Sequence, residues 1–382
     1  MKRSSSYTLV KLENDYYLLP FGQMIADQRH GCKVNESGVY IWDLLKGELH
    51  FEDILEHLSE YYDMNCKEKE EERPRLKTFL ENLADEGIIC LTPYDYFLSK
   101  FDGYFYNIAG LLLKLVCPRE AIPCEMNDFL FNGNLRRPDL TISVHTGEPA
   151  VSMNGNTLLR NRELVVMDAA DTYVLLFPNS PKIIEAHLKK DGSMIYFYCR
   201  PDFDDDFRYQ FFHAMRLAFL ILAKTKNMVV LHSASILYKG KAWLFSAPSG
   251  TGKSTHTALW NSYFGTPIIN GDLNLIDVSA ASPKVHGIPW CGTSNMCDTL
   301  TYPLGGIILL KRDSTDYVEE LTDADKERLV SERLITPSWT EEMLNLNLKL
   351  TTKITDKVTV CRLHCTKEPS AAITMKEYLD RI

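Results

Sequence analysis

The sequence predicts a multidomain protein of the α+β and α/β classes, with an N-terminal winged helix-turn-helix and a C-terminal domain on a mixed β-sheet. Three observations carry this prediction. The 382 residues suffice for two to three domains. Residues 1–92 read as a hairpin followed by three amphipathic helices, and a glycine-rich loop between a strand and a helix begins at Ala247. We therefore divide the chain into residues 1–92, a β-rich part at 93–228, and a loop-bearing domain at 229–382.

The composition is that of an ordinary globular protein. Hydrophobic residues make up 45% and charged residues 24% of the chain, which excludes wholesale disorder, collagen and coiled-coil structure. The start turns polar after its first basic residues, and the most apolar stretches, near residues 108–116 and 218–223, are too short to cross a bilayer. We therefore predict a cytoplasmic protein without a membrane partner.

The 10 cysteines are scattered along the chain and form no C-x-x-C pair. The nearest thing to a metal pattern, Cys361-x-x-His364-Cys365, lacks a second half. We interpret the cysteines as thiols, in keeping with a reducing compartment.

The first domain begins with short extended segments. Residues 7–13 and 16–20 are β-rich and flank Asn14-Asp15, a hairpin turn signal. A third extended piece at residues 32–34 leads to Asn35, a residue type that caps helix N-termini. These features predict a hairpin, a third strand and then the start of a helix.

Apolar residues at helical spacing predict three helices after these strands. The first covers residues 39–45 and the second covers residues 51–62. A charged connector at residues 67–73 precedes the third helix, at residues 76–83. A hairpin followed by three helices is typical of winged helix-turn-helix domains.

The charge of this domain argues against nucleic acid as its partner. Residues 1–92 contain 11 Lys and Arg against 18 Asp and Glu, a net charge of −7 out of −9 for the whole chain. Phosphate contacts need a basic face, and no helix here carries a basic stripe. The edge of a hairpin can instead pair with an extended peptide by β-augmentation. We therefore expect a peptide partner.

Two stretches carry a family resemblance. Residues 35–47 read Asn-Glu-Ser-Gly-Val-Tyr-Ile-Trp-Asp-Leu-Leu-Lys-Gly, and residues 79–89 read Phe-Leu-Glu-Asn-Leu-Ala-Asp-Glu-Gly-Ile-Ile. With them, residues 7–91 resemble the PqqD-like family, small domains that recognise the leader peptides of ribosomally made, modified natural products. The resemblance implies a precursor or leader peptide as partner. A winged module that serves only for docking or dimerisation is the alternative.

The middle of the chain is β-rich. Strands are predicted at residues 141–144, 173–177 and 194–198, with turn signals at Asn154-Gly155 and Asp191-Gly192. An acidic cluster follows these strands, and we interpret it as the first turn of a helix that ends near residue 227, with a metal site as the alternative. The cluster comprises Asp202, Asp204, Asp205 and Asp206.

The chemistry is concentrated in the last domain. Two β-rich runs, residues 229–237 and 242–246, lead into a phosphate-binding loop with alanine in place of its first glycine. Glycines let successive backbone N–H groups converge on phosphate oxygens, the lysine places a charge on the β- and γ-phosphates, and the following serine hydroxyl suits Mg²⁺. The predicted nucleotide-binding residues are Ala247, Pro248, Ser249, Gly250, Thr251, Gly252, Lys253, Ser254 and Thr255.

A carboxylate is expected near the transferred phosphate. The short apolar run at residues 267–271 ends in Asp272, about one βαβ unit beyond the loop. Asp272 is our candidate to ligate Mg²⁺, to accept the proton of a substrate hydroxyl, or to do both. A turn residue is the alternative, and Asp277, on the next strand, is interpreted as structural.

These residues carry a second resemblance. Residues 229–313 resemble the catalytic domain of HPr kinase/phosphorylase and its relatives, which share a nucleotide site with phosphoenolpyruvate carboxykinase. The resemblance rests on Leu231-His232-Ser233-Ala234, on residues 249–254 and on Asn270-Gly271-Asp272. The resemblance implies that Lys253 and Ser254 bind ATP and Mg²⁺, that Asp272 is the catalytic base, and that His232 lies near the active site. It also implies a homo-oligomer. By itself, His232 is equally compatible with a core histidine.

The sequence departs from the regulatory kinase in two places. Gly271-Asp272 stands where that enzyme has two adjacent aspartates, and residues 286–294 lack its glycine-rich signature. Phosphorylase activity and recognition of HPr are therefore left open. The pattern is closer to HPr-kinase-like enzymes of peptide natural-product clusters, which phosphorylate a serine of a precursor peptide. Cys291-Gly292-Thr293-Ser294 and Lys311-Arg312 are further candidate contacts, with a turn and a solvated strand end as their alternatives.

The two resemblances together predict ATP- and Mg²⁺-dependent phosphorylation of a Ser or Thr hydroxyl in a ribosomally made precursor peptide. A kinase of free serine or of another small hydroxylated metabolite is one alternative. A nucleotide-sensing regulator without catalysis is another.

Overall fold

The computed structural model describes residues 1–26, 28–91, 103–133, 136–147, 155–292 and 297–382. Within them the protein has mixed α/β architecture with two eight-stranded sheets and two smaller ones. The predicted boundary between residues 92 and 93 lies outside the described residues, as do Asn154, Thr293 and Ser294. None of the described helices is both long and apolar enough to cross a membrane.

The N-terminal part contains five strands and four helices. In chain order they are β1 (Lys2–Arg3), β2 (Tyr7–Leu12), β3 (Asp15–Pro20), α1 (Gln23–Ala26), β4 (Cys32–Val34), α2 (Glu36–Leu44), α3 (Phe51–Tyr61), α4 (Cys66–Asp85) and β5 (Ile89–Cys90). The antiparallel sheet β2-β3-β4 confirms the predicted hairpin and third strand. The Asn35 side chain accepts a hydrogen bond from Gly38 N at 2.9 Å, which confirms the predicted cap of α2.

Helix α4 is longer than the sequence predicted. The charged connector at residues 67–73 is helical, so that part of the prediction is wrong. Asn65 and Glu68 form a capping box that starts the helix at Cys66, nearly three turns before the predicted start at residue 76. The charged side chains then pair with α3 as well as with each other, since Arg73 binds Glu52. Capping and pairing together extend the helix through a segment with few apolar residues.

The middle part is a single large sheet followed by a long helix. Its elements are β6 (Gly103–Ile108), β7 (Leu111–Val116), β8 (Leu140–Thr146), β9 (Asn156–Arg160), β10 (Val165–Ala169), β11 (Thr172–Leu176), β12 (Ile183–Lys189), β13 (Met194–Cys199) and α5 (Asp205–Thr225), with short 3₁₀ helices at Arg119–Ala121 and Cys124–Phe129. The strand order is β6-β7-β8-β13-β12-β11-β10-β9. The three predicted strands and the predicted helix are confirmed. Asp204 caps α5 by accepting from Phe207 N at 2.9 Å, as the acidic first turn suggested.

The last part carries the second large sheet. Its elements are β14 (Met228–Tyr238), β15 (Lys241–Ser246), α6 (Lys253–Phe264), β16 (Ile268–Asn270), β17 (Leu273–Asp277), β18 (Lys284–His286), β19 (Thr301–Arg312), β20 (Tyr317–Glu320), α7 (Asp323–Ser331), α8 (Glu341–Thr355), β21 (Thr359–Cys365) and α9 (Pro369–Arg381). The order β15-β14-β17-β18-β19 closes on itself because β15 also pairs with β19, in parallel. This closed arrangement holds the end of β15 rigidly in the sheet.

The parts share hydrophobic cores. Tyr196 and Tyr198 of β13 are buried in the core of the N-terminal part, and the Tyr198 hydroxyl donates to Leu91 O. Helix α5 packs with residues of β14 and β17 and with Trp290. Its Lys224 ammonium donates to Pro337 O and Met343 O, both at 2.8 Å. Removing one part would therefore expose apolar surface on another.

The cysteines differ in part from the prediction. Cys291 and Cys297 form a disulfide, so the interpretation of every cysteine as a thiol is wrong for this pair. Their Cα atoms lie 5.7 Å apart, a proximity that their spacing in the sequence does not reveal. Cys361 and Cys365 are buried, whereas His364 follows the alternation of β21 to its other face, so the three cannot share a metal.

Candidate functional site

The glycine-rich loop connects a strand to a helix, as its motif requires. Strand β15 ends at Ser246, and α6 begins at Lys253. Gly250 and Gly252 adopt φ angles of 74° and 122°, a region that other residues rarely enter. The N-terminus of α6 therefore faces the loop with its unpaired N–H groups and its positive dipole end. This arrangement suits the binding of an anion.

Arg312 at the end of β19 holds the loop from one side. Its guanidinium donates to Gly250 O and, at 3.3 Å, to Thr251 O. Because peptide units are trans, the N–H groups of the same units, at Thr251 and Gly252, point away from Arg312. Arg312, which the sequence analysis named as a candidate contact, thus donates hydrogen bonds to the backbone of the loop.

A cavity of about 440 Å³ lies along the loop and the start of α6. We call it the P-loop cavity, and its lining includes Lys253, Ser254, His232, Asp272 and Gly292. The Lys253 side chain is buried, with its Nζ 3.3 Å from Ala247 O. Burial lowers the pKa of Lys253, and the charge of Asp272 opposes that lowering. The predicted site residues are therefore brought to one cavity.

Asp272 and His232 form a pair at this cavity. His232 Nε2 lies 3.1 Å from Asp272 Oδ1, and both side chains are about one-third exposed. The hydrogen bond from His232 lowers the pKa of Asp272, although burial opposes this. Asp272 is therefore a carboxylate at neutral pH, fixed in orientation by His232.

The buried side-chain amide of Asn270 positions Asp272. Asn270 Oδ1 accepts from Asp272 N at 2.9 Å and from Leu273 N at 3.0 Å, which shapes the turn that delivers the carboxylate. Asn270 N in turn donates to Ser235 Oγ at 3.1 Å, and the Ser235 hydroxyl donates a hydrogen bond to Oδ1 of the buried Asn274. This satisfied polar network fixes the turn to β14.

Gly292 lines the P-loop cavity and lies directly beside Asp272. A Cβ atom at Gly292 would lie 2.8 Å from Asp272 Cβ and 3.1 Å from its Cγ. The loop before it is anchored on α5, because Trp290 Nε1 donates to Phe212 O at 2.9 Å and the Trp290 ring stacks on Phe212. The Cys291–Cys297 disulfide holds the two ends of the next stretch together. The sequence marked Cys291 and Gly292 as candidates but did not reveal this contact.

We expect Gly292→Ala to lower any activity that depends on Asp272 by at least about tenfold, because the new methyl group must displace the carboxylate. Nucleotide affinity, measured by calorimetry, should change little. Gly240→Ala is the matched control, since Gly240 has a φ of 73° against 67° at Gly292 but nothing within 4 Å of its Cβ position. Equal losses in both variants would contradict this account.

The pairing with His232 predicts a pH effect. Loss of the hydrogen bond in His232→Leu raises the pKa of Asp272, so protonation begins at a higher pH. The acid limb of the pH profile of kcat/KM for any reaction that needs the Asp272 carboxylate should therefore move to higher pH. His286→Leu, which removes the partner of Asp277 at 3.4 Å, should leave the limb in place. A limb that does not move in His232→Leu would show that Asp272 does not control it.

A second cavity, of about 480 Å³, adjoins the loop at Ser249 and Gly250. Four cationic side chains contribute to its lining, namely Lys311, Arg312, Arg333 and Arg362. Its position suits a polyanionic substrate that extends past the loop. Arg333 and Arg362 follow the loop by eighty residues or more, and no local motif marks them.

Comparison with known families agrees with one half of the sequence interpretation. Residues 24–89 match the family of coenzyme PQQ synthesis protein D (PqqD). This confirms the PqqD-like resemblance at the N-terminus and covers β4 and α1 to α4. A comparison with curated proteins finds no match.

Proposed function

We propose that this protein is an ATP- and Mg²⁺-dependent kinase that phosphorylates a Ser or Thr hydroxyl of a ribosomally made precursor peptide. The observation that carries the proposal is the P-loop cavity, where Asp272 faces Lys253 and Ser254 of a strand–loop–helix phosphate site. The PqqD match adds a biosynthetic context in which a precursor peptide is bound.

The chain's own residues supply the steps of the transfer. The loop N–H groups and Lys253 hold the phosphates, and Asp272 orients the acceptor hydroxyl and takes its proton. The acceptor oxygen forms a bond to the γ-phosphorus, the bond from that phosphorus to the bridging oxygen breaks, and ADP leaves. His232 keeps the carboxylate ionised and in place. Catalysis then rests on positioning and charge neutralisation.

The oxygen donors at the site fit Mg²⁺. The exposed Ser254 hydroxyl and the Asp272 carboxylate line the same cavity. No group of three or more His, Cys, Asp or Glu side chains in the described part of the chain could hold a metal by itself. This suits Mg²⁺, which commonly binds through one or two protein oxygens together with substrate phosphates and water. When bound, Mg²⁺ would neutralise phosphate charge.

The leader peptide is proposed to bind at strand β4. Both outer strands of the sheet β2-β3-β4 have an edge that no other strand of the described residues pairs with. Beside β4 the chain offers apolar side chains, because Gly38 packs against Val34 and the half-buried Phe79. An added strand would gain main-chain hydrogen bonds from β4 and apolar contact with the exposed part of Phe79.

Phe79→Ala should weaken binding of the precursor peptide by roughly 30-fold, as truncation of a central aromatic contact does. Fluorescence anisotropy with a labelled candidate precursor measures the Kd. Leu12→Ala is the control, because Leu12 lies on the opposite outer strand and is 50% exposed. If Leu12→Ala weakens binding and Phe79→Ala does not, the leader binds the other edge.

Leader capture explains why the two parts share one chain. Once the leader is bound, the acceptor residue meets the active site at a high effective concentration, so the site need not read much sequence. The direct test is incubation with ATP, Mg²⁺ and short peptides encoded next to the gene, with mass spectrometry as the readout. A mass gain of about 80 Da on Ser or Thr supports the proposal. ATP binding without transfer to any hydroxyl would favour a nucleotide sensor.

A further inference from the structure

A third cavity, of about 660 Å³, is lined by one face of α5. We call it the α5 cavity. Asp206, Gln210, His213 and Arg216 lie three or four residues apart, so they form a single stripe of the helix along it. Glu163, before β10, contributes to the lining as well. The cavity is polar along most of this stripe.

Two side chains that line this cavity each carry a buried polar atom without a hydrogen-bond partner. They are Nε of Arg216 and Oε1 of Gln210, and within the part of the chain that the structure describes neither is satisfied. Arg216 makes no ion pair with any described carboxylate. Buried polar groups are nearly always hydrogen-bonded in native proteins, to protein, to water or to a ligand. A ligand that satisfied both side chains would offer an oxygen to Arg216 and an N–H group to Gln210.

The Arg216 end of the stripe lies near the candidate catalytic carboxylate. Arg216 lies one turn after Phe212 and one turn before Phe219, and the rings of both phenylalanines pack against Trp290. Trp290 also donates to Phe212 O and lies two residues before the Gly292 that touches Asp272. Arg216 lines the α5 cavity and is not part of the P-loop cavity lining. It therefore belongs to a cavity separate from the one at the glycine-rich loop.

The length of the stripe suits a short peptide segment. From Asp206 to Arg216 the helix advances about 15 Å at roughly 1.5 Å per residue. An extended chain covers that distance in about four to five residues at roughly 3.3 Å each. A segment of this size would therefore span the stripe from Asp206 to Arg216.

We propose that the α5 cavity binds the acceptor segment and that Arg216 pairs with a carboxylate next to the hydroxyl that is phosphorylated, while Gln210 accepts an N–H of the acceptor. This inference rests on the proposed kinase function and specifies its substrate as a hydroxyl flanked by an acid. A guanidinium matches a carboxylate in a bidentate geometry, which makes Arg216 a specificity-determining residue. The carboxylate can come from an acidic side chain of a peptide or from free serine.

The test uses the full chain with ATP, Mg²⁺ and three probes at millimolar concentration. These are a nine-residue peptide with a central serine flanked by aspartate, the same peptide with asparagine, and free L-serine. The wild type should phosphorylate the aspartate peptide at least tenfold faster than the asparagine peptide, and Arg216→Gln should bring this ratio to about one. Arg216→Lys should retain part of the preference. A faster reaction of serine than of either peptide would assign the carboxylate to a free amino acid.

Arg162→Gln is the matched control, because Arg162 is exposed on the neighbouring turn and does not line the cavity. It should keep the wild-type ratio, and nucleotide affinity should be the same in all variants. Two results would overturn this inference alone. One is equal phosphorylation of the aspartate and asparagine peptides together with no phosphorylation of free serine. The other is a preference for the aspartate peptide that persists in Arg216→Gln. If no probe is phosphorylated although ATP binds, the kinase proposal and this inference both fail.

Discussion

Asp272→Asn should lower phosphoryl transfer to the acceptor peptide by about 10²- to 10⁴-fold, the usual contribution of a positioned general base. The amide keeps the shape of the side chain and can still contact His232, but it cannot take the hydroxyl proton. The rate is measured as phosphopeptide formed per minute by mass spectrometry at saturating ATP. Nucleotide affinity should fall far less than the rate.

Asp277→Asn is a closely matched control for this substitution. Asp277 is also paired with a histidine, His286, at 3.4 Å, but it does not line the P-loop cavity. We expect its transfer rate to stay within about twofold of the wild type, as for other sites without contact to the reacting groups. Nucleotide binding with an unchanged biological output in Asp272→Asn would contradict the catalytic role and favour a nucleotide sensor.

Lys253→Met should reduce kcat/KM for ATP by about 100- to 1,000-fold, because it removes a buried charge that is aimed at the phosphates. The fold should be retained. Lys253 makes one long hydrogen bond, at 3.3 Å to Ala247 O, and a methionine fills a similar volume. Its melting temperature should therefore stay close to that of the wild type.

Lys241→Met serves as the control, since Lys241 is exposed at the other end of β15. It should bind and use ATP as the wild type does. Comparable losses in both variants would indicate a general effect of charge, whereas full activity in Lys253→Met would contradict a phosphate site at this loop.

Local patterns predicted the parts of the fold and the site that depend on neighbouring residues. The glycine loop, its lysine and the turn that presents Asp272 are each encoded within a few positions, and the structure brings them to one cavity. The cap at Asn35 and three strands of the middle sheet, β8, β11 and β13, followed equally from local chemistry.

Features that depend on long-range packing were not predicted. The loop before Gly292 meets α5 through the hydrogen bond from Trp290 to Phe212, residues that lie more than seventy positions apart. The contact of Gly292 with Asp272 and the Cys291–Cys297 disulfide likewise require the folded loop. The helical connector at residues 67–73 was missed because its stability comes from a cap and from ion pairs with α3 rather than from apolar spacing.

The shared core also decides how leader binding should be tested. Deletion of the N-terminal part would uncover Tyr196 and Tyr198, which are fully buried against it. A loss of activity in such a truncation would not separate leader capture from unfolding. The substitution of Phe79, with Leu12 as its control, is a smaller change because it keeps the N-terminal part in place over Tyr196 and Tyr198.

The most direct measurement is the mass of a candidate precursor peptide after incubation with the full chain, ATP and Mg²⁺. We predict a gain of about 80 Da on one Ser or Thr, absent with Asp272→Asn and retained with Asp277→Asn. A precursor that binds the N-terminal part tightly, yet gains no mass while ATP is bound, would contradict the central claim that this protein is a peptide kinase.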